Sequence, residues 1–272
     1  EPTPIQSQSI PPLLAGKDLL GQAATGTGKT AAFALPLLQR ALAAHGRTGA
    51  PAVLVLVPTR ELAIQVAEAF HSYGGKLGAV MLPIYGGAEF GRQVQALKRG
   101  VHAVVATPGR ALDHIRRGTL LLDSVRVVVL DEADEMLDMG FRDDLEEILD
   151  ATPETRRTLL FSATIPKPIV QLAKRYQRDA LRISTVGEDR GHGDIAYQAV
   201  TVAPADIEGA VVNLLRLHDA ETAMLFCATR DNVRRLHASL VERGFAAVAL
   251  SGEHSQNERN HALQALRDRR AR

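Results

Sequence analysis

The stretch Ala23-Ala24-Thr25-Gly26-Thr27-Gly28-Lys29-Thr30 decides the fold of this chain. It follows a short apolar run, Leu19-Leu20, and opens a helical pattern over residues 31–44. A glycine-rich loop between a strand and a helix can turn several backbone N–H groups, and the positive end of the helix dipole, toward one anion. The stretch therefore predicts a phosphate-binding loop, with the backbone from Ala24 to Gly28 around the phosphates.

The last two residues of this loop carry its chemistry. Lys29 is expected to reach the β- and γ-phosphates of a nucleoside triphosphate, and the Thr30 hydroxyl is expected to ligate Mg²⁺. The strict pattern begins with glycine, whereas Ala23 stands in that place here. The alternative is a Gly/Thr turn that only caps a helix, and Gly-Lys-Thr at a strand-to-helix junction argues against it.

Composition limits the remaining possibilities. The 272 residues are enough for two domains, and 46% apolar with 23% charged residues is ordinary for a globular protein. The net charge of +1 means that nucleic acid could be bound only by specifically placed groups. A single cysteine, Cys227, excludes an internal disulfide and a cysteine-based zinc site, and its apolar neighbours predict a core position. With no membrane-span-length apolar segment and no signal peptide, we expect a cytoplasmic protein without a membrane partner.

Seven apolar runs predict the strands of a parallel sheet, at residues 18–21, 53–57, 80–85, 103–106, 125–130, 158–162 and 181–184. They are apolar on both faces, as buried parallel strands are. Helical patterns lie between them, for example over 61–72, 89–99 and 169–176. This alternation predicts an α/β fold with a doubly wound parallel sheet, whose ligands bind at the carboxyl ends of the strands.

Residues 187–194 are polar, glycine-rich and without periodicity, which predicts a linker between a first domain at 1–186 and a second at 195–272. The alternative is a long surface loop within one domain. Beyond this stretch we predict strands at 197–202, 223–227 and 246–250, and helices at 205–218, 231–243 and 255–267. Because this is few elements for an independent α/β sheet, the second domain is expected to be incomplete.

An acidic tetrapeptide, Asp131-Glu132-Ala133-Asp134, directly follows the apolar run 127–130. Acidic groups at the carboxyl end of a buried strand are well placed to hold a metal ion. In a nucleoside triphosphatase, Asp131 would hold Mg²⁺ through water, and Glu132 would orient and deprotonate the attacking water. Alone, the tetrapeptide could be a helix cap; beside a phosphate-binding loop it indicates an enzyme.

Further short segments stand in order around these two: Pro2-Thr3-Pro4-Ile5-Gln6, Pro58-Thr59-Arg60-Glu61-Leu62, Gly86-Gly87, Thr107-Pro108-Gly109-Arg110, Ser162-Ala163-Thr164, Phe226-Cys227-Ala228-Thr229-Arg230, and Gln256 with Arg259. Taken together, these segments resemble the motif series of the DEAD-box ATP-dependent RNA helicases of superfamily 2, over essentially the whole chain. The resemblance implies two RecA-like doubly wound domains, the second incomplete. It also implies ATP and Mg²⁺ as cofactors and RNA as partner, and it leaves the protein partners unknown.

The resemblance also implies roles for single residues. Gln6 would select ATP over GTP, because an amide donor beside an amide acceptor matches N6 and N7 of adenine. Coupling of the ATP state to unwinding would involve Asp134, Ser162, Ala163 and Thr164. Contacts with the RNA backbone would come from Pro58, Thr59, Arg60, Gly87, Thr107, Pro108, Gly109, Arg110, Thr229, Arg230, Gln256 and Arg259. Many of these residues could also act simply as helix or strand-end caps, and the two roles are compatible.

Aromatic residues make up only 4% of the chain, so base stacking is not expected and sequence preference should be weak. The family's arginine fingers, and an aromatic residue that stacks on adenine upstream of Gln6, have no counterpart in this sequence. The 272 residues are therefore expected to bind ATP, to hydrolyse it scarcely, and to respond little to RNA. The incomplete second sheet should also expose an unpaired edge.

Two other functions remain open at this point. One is a DNA translocase of the same superfamily, against which the Asp-Glu-Ala-Asp tetrapeptide and Gln6 argue. The other is a non-enzymatic, ATP-gated RNA clamp, against which the intact Lys29 and Glu132 argue.

Overall fold

A computed structural model describes residues 1–43, 50–185, 196–254 and 256–271, which fall into two compact units, Glu1–Arg190 and Gly191–Arg272. The linker predicted at 187–194 lies outside the described residues. No helix of the described ranges is long and apolar enough to cross a membrane.

The first unit contains a seven-stranded sheet in which every pairing is parallel. Its strands are β1 (Leu19–Gln22), β2 (Val53–Leu56), β3 (Met81–Ile84), β4 (Ala103–Ala106), β5 (Val127–Leu130), β6 (Arg157–Ser162) and β7 (Leu181–Ser184). All seven predicted strands are confirmed, with ends that differ by at most two residues.

Eight α-helices connect and flank these strands: α1 (Pro4–Leu14), α2 (Lys29–Ala43), α3 (Arg60–Gly74), α4 (Phe90–Lys98), α5 (Pro108–Arg116), α6 (Ala133–Asp138), α7 (Arg142–Asp150) and α8 (Lys167–Tyr176). A short 3-10 helix, Gly75–Leu77, follows α3. Side chains alternate along each strand, so one strand supplies two cores. Val53 and Val55 of β2 belong to one apolar cluster, and Leu54 and Leu56 belong to the other. The central strands are thus covered on both faces, as predicted, whereas three of the four residues of the edge strand β7 are exposed.

The strand order is β3-β4-β2-β5-β6-β1-β7. The chain runs from β1 through β2 to β3 toward one edge of the sheet, and from β3 through β4, β5 and β6 to β7 toward the other edge. Open α/β sheets bind ligands at the carboxyl ends of their strands, where neighbouring connections lead in opposite directions. The loops that follow β3, β4 and β2 occupy one half of the carboxyl edge. Those that follow β5, β6 and β1 occupy the other half.

The described residues of the second unit form three α-helices, α9 (Ile207–His218), α10 (Arg230–Glu242) and α11 (Gln256–Arg267), after a 3-10 turn at Pro204–Asp206. The three predicted helices are confirmed, with the first beginning as that turn. The strands predicted at 197–202, 223–227 and 246–250 are wrong: none of these described segments forms a β-strand. Apolar composition alone does not make a strand, which exists only in a ladder of backbone hydrogen bonds.

Apolar side chains of the second unit consequently remain open. Phe226 is 93% exposed, and Cys227 is only partly buried, which corrects the expectation of a core cysteine. Beside these segments lies an apolar cavity of about 660 Å³, whose lining includes Leu236, Leu240 and Phe245.

Candidate functional site

The predicted phosphate-binding loop joins β1 to α2. Gly26 (φ +78°) and Gly28 (φ +88°) adopt the left-handed conformation that favours glycine. The Thr27 hydroxyl donates to the Ala24 carbonyl at 2.7 Å, which tightens the turn. Ala23 is buried and keeps an ordinary negative φ, so the first position of this loop does not require glycine.

Lys29 is the first residue of α2, and its side chain is turned into the site. The residue is only 6% exposed, and its buried Nζ has no hydrogen-bond partner among the residues that the structure describes. Its charge acts on both Asp131 and Glu132, lowering the pKa of each against the effect of burial. A buried ammonium without a hydrogen-bond acceptor is costly, and an anionic ligand would supply the missing acceptor.

Asp131 lies at the end of β5 and is almost fully buried. Burial raises the pKa of Asp131 to about 6, although Lys29 opposes the shift, and its Oδ1 accepts the Glu132 N–H at 3.0 Å. A divalent cation would compensate this buried charge. The described residues contain no cluster of three His, Cys, Asp or Glu side chains that could hold a metal alone. One carboxylate, the neighbouring Thr30 hydroxyl and phosphate oxygens are the donors that Mg²⁺ accepts, so these residues fit Mg-ATP.

Glu132 precedes α6 in a left-handed backbone conformation, with φ 53° and ψ 49°. A non-glycine residue held there stores strain, which is typical of functional positions. Burial raises the pKa of Glu132 as well. The raised pKa of this carboxylate is closer to the pKa of an efficient general base at neutral pH.

The end of β6 connects the acidic tetrapeptide to the phosphate-binding loop. The Ser162 carbonyl accepts the Ala23 N–H at 3.1 Å, while its hydroxyl accepts the Asp134 N–H at 3.2 Å. Thr164 donates to Asp134 Oδ2 from its backbone N–H at 2.9 Å and its hydroxyl at 2.8 Å. Burial would raise the pKa of Asp134, but these hydrogen bonds outweigh it and lower the pKa. Asp134 is therefore held as a carboxylate between α6 and the loop after β6.

Gln22, which the sequence analysis overlooked, also belongs to this region. It ends β1, donates from Nε2 to the Ala163 carbonyl at 3.3 Å, and accepts from the Ser184 hydroxyl at 3.2 Å. It thus fixes the loop after β6 against β7. The sequence feature that could have identified Gln22 is a polar side chain at the last position of an apolar strand.

Gln6 lies in the first turn of α1, directly against the phosphate-binding loop. Its Oε1 accepts the Thr3 N–H at 3.0 Å, and its Nε2 donates to the Gly28 carbonyl at 3.2 Å. A Cβ at Gly28 would collide with the Gln6 amide, which is a second reason for glycine there. Each polar atom of the amide retains capacity for one further hydrogen bond, as contact with an adenine edge would need.

The loops after β2, β3 and β4 meet at the other half of the carboxyl edge. Thr59 follows Pro58 and caps α3, since its hydroxyl accepts the Leu62 N–H at 3.2 Å. The Arg60 guanidinium lies so close to Gly87 (φ +84°) that a Cβ there would be 3.0 Å from its Nη1. The Thr107 N–H donates to the Ile84 carbonyl at 3.0 Å.

Helix α5 begins at Pro108 and includes Gly109 and Arg110 in its first turn. Arg110 Nη1 donates to the Ala88 carbonyl at 3.1 Å and to Gln93 Oε1 at 3.3 Å. Its guanidinium carbon lies 5.6 Å from the centre of the Phe90 ring. The structure thus brings the predicted residues of this half together around the N-termini of α3 and α5.

A buried histidine lies beneath these loops. His114 stacks on Phe90 at 4.1 Å between ring centres, and its Nε2 lies 3.0 Å from Gln93 Oε1. Burial, together with the charges of Arg110 and Arg117, lowers the pKa of His114 to about 4.

This low pKa predicts acid sensitivity. The unfolded chain binds a proton near the ordinary value of 6.5, whereas the folded chain does not. Stability should therefore fall as the pH falls below 6.5, by about 2 kcal/mol between pH 7 and pH 5. Urea unfolding of the wild type and of His114→Gln at these two pH values checks this. The variant should lose less stability on acidification, whereas the exposed-residue control His71→Gln should behave as wild type. Equal losses in all three proteins would contradict the assignment.

The predicted site residues of the second unit form a separate group. Thr229 caps α10 by accepting the Asn232 N–H at 3.2 Å, and Arg230 lies against Gly252. Arg259 Nε donates to the His254 carbonyl at 3.2 Å. Gln256 begins α11, and its side chain lies outside the described part of the chain.

Comparison with known proteins is consistent with this geometry. The family model for DEAD/DEAH box helicases matches residues 3–172. The ATP-dependent RNA helicase DeaD of Mycobacterium tuberculosis is 44% identical over 98% of this chain and 47% of its own length. The DEAD-box ATP-dependent RNA helicase CshA of Bacillus cereus is also 44% identical, over 98% of this chain and 50% of its own. The chain thus spans about half the length of these relatives.

Among solved structures, a DEAD box protein from the hyperthermophile Methanococcus jannaschii is similar, with a TM-score of 0.64 and 39% identity. The match covers 100% of this chain and 72% of that one. This likeness confirms the RecA-like α/β class for the seven-stranded sheet. The motif series, the site geometry and the family match agree, and the chain belongs to the DEAD/DEAH box helicase family.

Proposed function

We propose that this chain contains the ATP-binding and part of the RNA-binding machinery of an ATP-dependent RNA helicase that uses Mg²⁺. The observation that carries the proposal is the buried ammonium of Lys29, which has no hydrogen-bond partner in the described residues and lies beside two carboxylates. That arrangement suits the phosphates of a nucleotide and its metal ion.

The residues of this chain would divide the ATP chemistry as follows. The loop from Ala24 to Thr30 and the N-terminus of α2 bind the phosphates, with Lys29 as the cation. Thr30 and Asp131 would hold Mg²⁺, Asp131 through water, and the ion would supply positive charge against the phosphates. Glu132 orients the attacking water and accepts its proton.

RNA would bind along the half of the edge formed by the loops after β3, β4 and β2. Helix N-termini such as those of α3 and α5 present backbone N–H groups, and such groups contact phosphates without reading bases. Thr59, Arg60, Gly87 and Thr107 surround these N-termini. In the second unit, the capped start of α10 at Thr229 and Arg230, together with Gln256 and Arg259, would supply further backbone contacts. We place domain boundaries at 1–186 and 195–272, and we expect a cytoplasmic protein.

The loop after β6 would couple the two halves. Ser162, the last residue of β6, contacts the start of the phosphate-binding loop and α6, and Thr164 in the loop holds Asp134. A movement of α6 with the nucleotide state would therefore be transmitted through these hydrogen bonds. In the complete helicase, such movements would accompany closure of two domains on RNA and the local separation of a short duplex.

Adenine selectivity tests the role of Gln6. Gln6→Ala should reduce the preference for ATP over GTP, because a site built to hydrogen-bond one base edge rejects a base that lacks it. Competition of each nucleotide against a fluorescent ADP measures the preference. The control is Gln8→Ala, since Gln8 lies exposed on the same helix. A wild-type chain that binds GTP as tightly as ATP would refute the assignment.

A further inference from the structure

The Arg110 side chain is turned into the protein instead of toward solvent. It is 15% exposed, and one of its nitrogens already donates to both the Ala88 carbonyl and Gln93. The Phe90 ring lies under its guanidinium. By contrast, Arg92, one helix turn from Glu89, is 85% exposed and pairs only at the surface. The Nε of Arg110 also lies 3.8 Å from Oδ2 of Asp113, so the charge of Arg110 is largely committed to contacts within the protein.

Gln93 connects Arg110 to two other elements. It is buried on α4, and its Nε2 donates to the carbonyl of Tyr85, the residue that follows β3, at 3.1 Å. Its Oε1 accepts from Arg110 and contacts His114, both of which lie on α5. Removing this amide would leave buried polar groups of two elements unsatisfied, and such groups are costly.

These contacts fix one loop. Residues 86–89 lie between β3 and α4. Arg110 holds their backbone at the Ala88 carbonyl, and Gln93 holds the residue just before them at the Tyr85 carbonyl. Gly87, within this loop, is exposed and has a left-handed φ of +84°, with the Arg60 guanidinium beside it. Helix α5 starts beside it, because the Thr107 N–H is anchored to the Ile84 carbonyl.

We propose that Arg110 and Gln93 are positioning residues, which hold the loop 86–89 against the N-terminus of α5 so that backbone N–H groups there bind an RNA phosphate. Arg110 is then not itself the phosphate ligand. This inference rests on the proposed RNA-binding function and corrects the role that the family resemblance suggests for Arg110.

The two roles of Arg110 predict different responses to salt and to lysine. Loss of a cation that contacts a phosphate lowers the slope of log affinity against log salt concentration by about 1, and lysine would preserve much of that contact. A positioning arginine needs its planar fork and its ring contact, which lysine lacks. We therefore expect Arg110→Lys and Arg110→Ala to weaken RNA binding alike, by about fivefold, with the salt slope unchanged.

The experiment measures binding of a fluorescent oligouridylate to the 272-residue chain, in the presence of Mg²⁺ and a non-hydrolysable ATP analogue, at several salt concentrations. Gln93→Met should weaken RNA binding about fivefold in the wild-type background, but not further when added to Arg110→Ala, because both act through one contact. Affinity for a fluorescent ADP should stay within about twofold throughout, since the nucleotide lies at the other half of the edge. Arg92→Ala is the matched control for charge, because its exposed guanidinium has no such internal role.

Thermal melting identifies any variant that does not fold. If Gln93→Met fails to fold, Phe90→Leu replaces it, since Phe90 is only half-buried and its ring supports the same guanidinium. Phe90→Leu should show the same lack of additivity with Arg110→Ala.

Several results would overturn the inference. A salt slope that falls by about 1 in Arg110→Ala, or affinity retained by Arg110→Lys, would make Arg110 a direct phosphate ligand. If Gln93→Met weakens RNA binding equally in the wild type and in Arg110→Ala, Gln93 does not act through Arg110. If the wild type binds RNA and Arg110→Ala binds as well, the inference fails while the proposed function stands. If the wild type binds no RNA, both fail.

Discussion

Replacing Lys29 by alanine is expected to weaken ATP binding by roughly 30-fold to 1,000-fold, as removal of one partner from a buried charge pair does. The wild-type ammonium is already desolvated and has no acceptor to give up among the described residues. Almost all of its interaction with the phosphates is therefore gained on binding. The variant also removes the cation that lowers the pKa of Asp131, which weakens the metal site further.

Titration calorimetry with Mg-ATP measures this effect. The control is Lys76→Ala, which removes the same charge from the exposed 3-10 helix before β3, at the opposite edge of the sheet. The control should bind as the wild type does. ATP affinity that is equal in the Lys29→Ala and Lys76→Ala variants would show that the phosphates bind elsewhere.

Glu132→Gln is expected to lower ATP hydrolysis by about 10²-fold to 10⁴-fold while ATP and RNA remain bound, because positioned general bases contribute that much. Glutamine preserves the shape of the side chain but cannot accept the proton of the attacking water. The strained backbone at this residue is kept, so the direction of the side chain should not change.

The assay compares steady-state turnover in a protein of the relatives' full length that carries this sequence. Glu135→Gln is the matched control, since Glu135 lies exposed in the first turn of the same helix α6. Near-normal turnover by Glu132→Gln would mean that another group is the base. A similar loss in Glu135→Gln would indicate a general electrostatic effect.

The sheet of the first unit could be predicted because the runs that form its central strands are apolar on both faces. Residues 53–57 and 103–106 needed no tertiary information to be recognised as buried parallel strands. The phosphate-binding loop and the acidic tetrapeptide were equally accessible, because each combines a residue pattern with a local strand-to-helix junction. Their meeting at one edge then follows from parallel topology.

What the sequence could not supply depends on tertiary contacts. The left-handed backbone of Glu132 is imposed by the junction of β5 with α6, and nothing in the residue type predicts it. Gln22 and Gln93 act through partners distant in the chain, so local patterns do not distinguish them from surface amides. The apolar segment 223–227 has the composition of a strand. A strand forms only beside a neighbouring strand that supplies backbone hydrogen bonds, and sequence periodicity does not reveal that partner.

One assay decides whether ATP hydrolysis depends on RNA. Steady-state ATP hydrolysis is followed in a protein of the relatives' full length that carries this sequence, with a single-stranded RNA and with the DNA of identical sequence. We expect stimulation by the RNA and little by the DNA. Equal stimulation by both would indicate a DNA translocase, and ATP turnover indifferent to RNA would contradict the assignment of the loops after β2, β3 and β4.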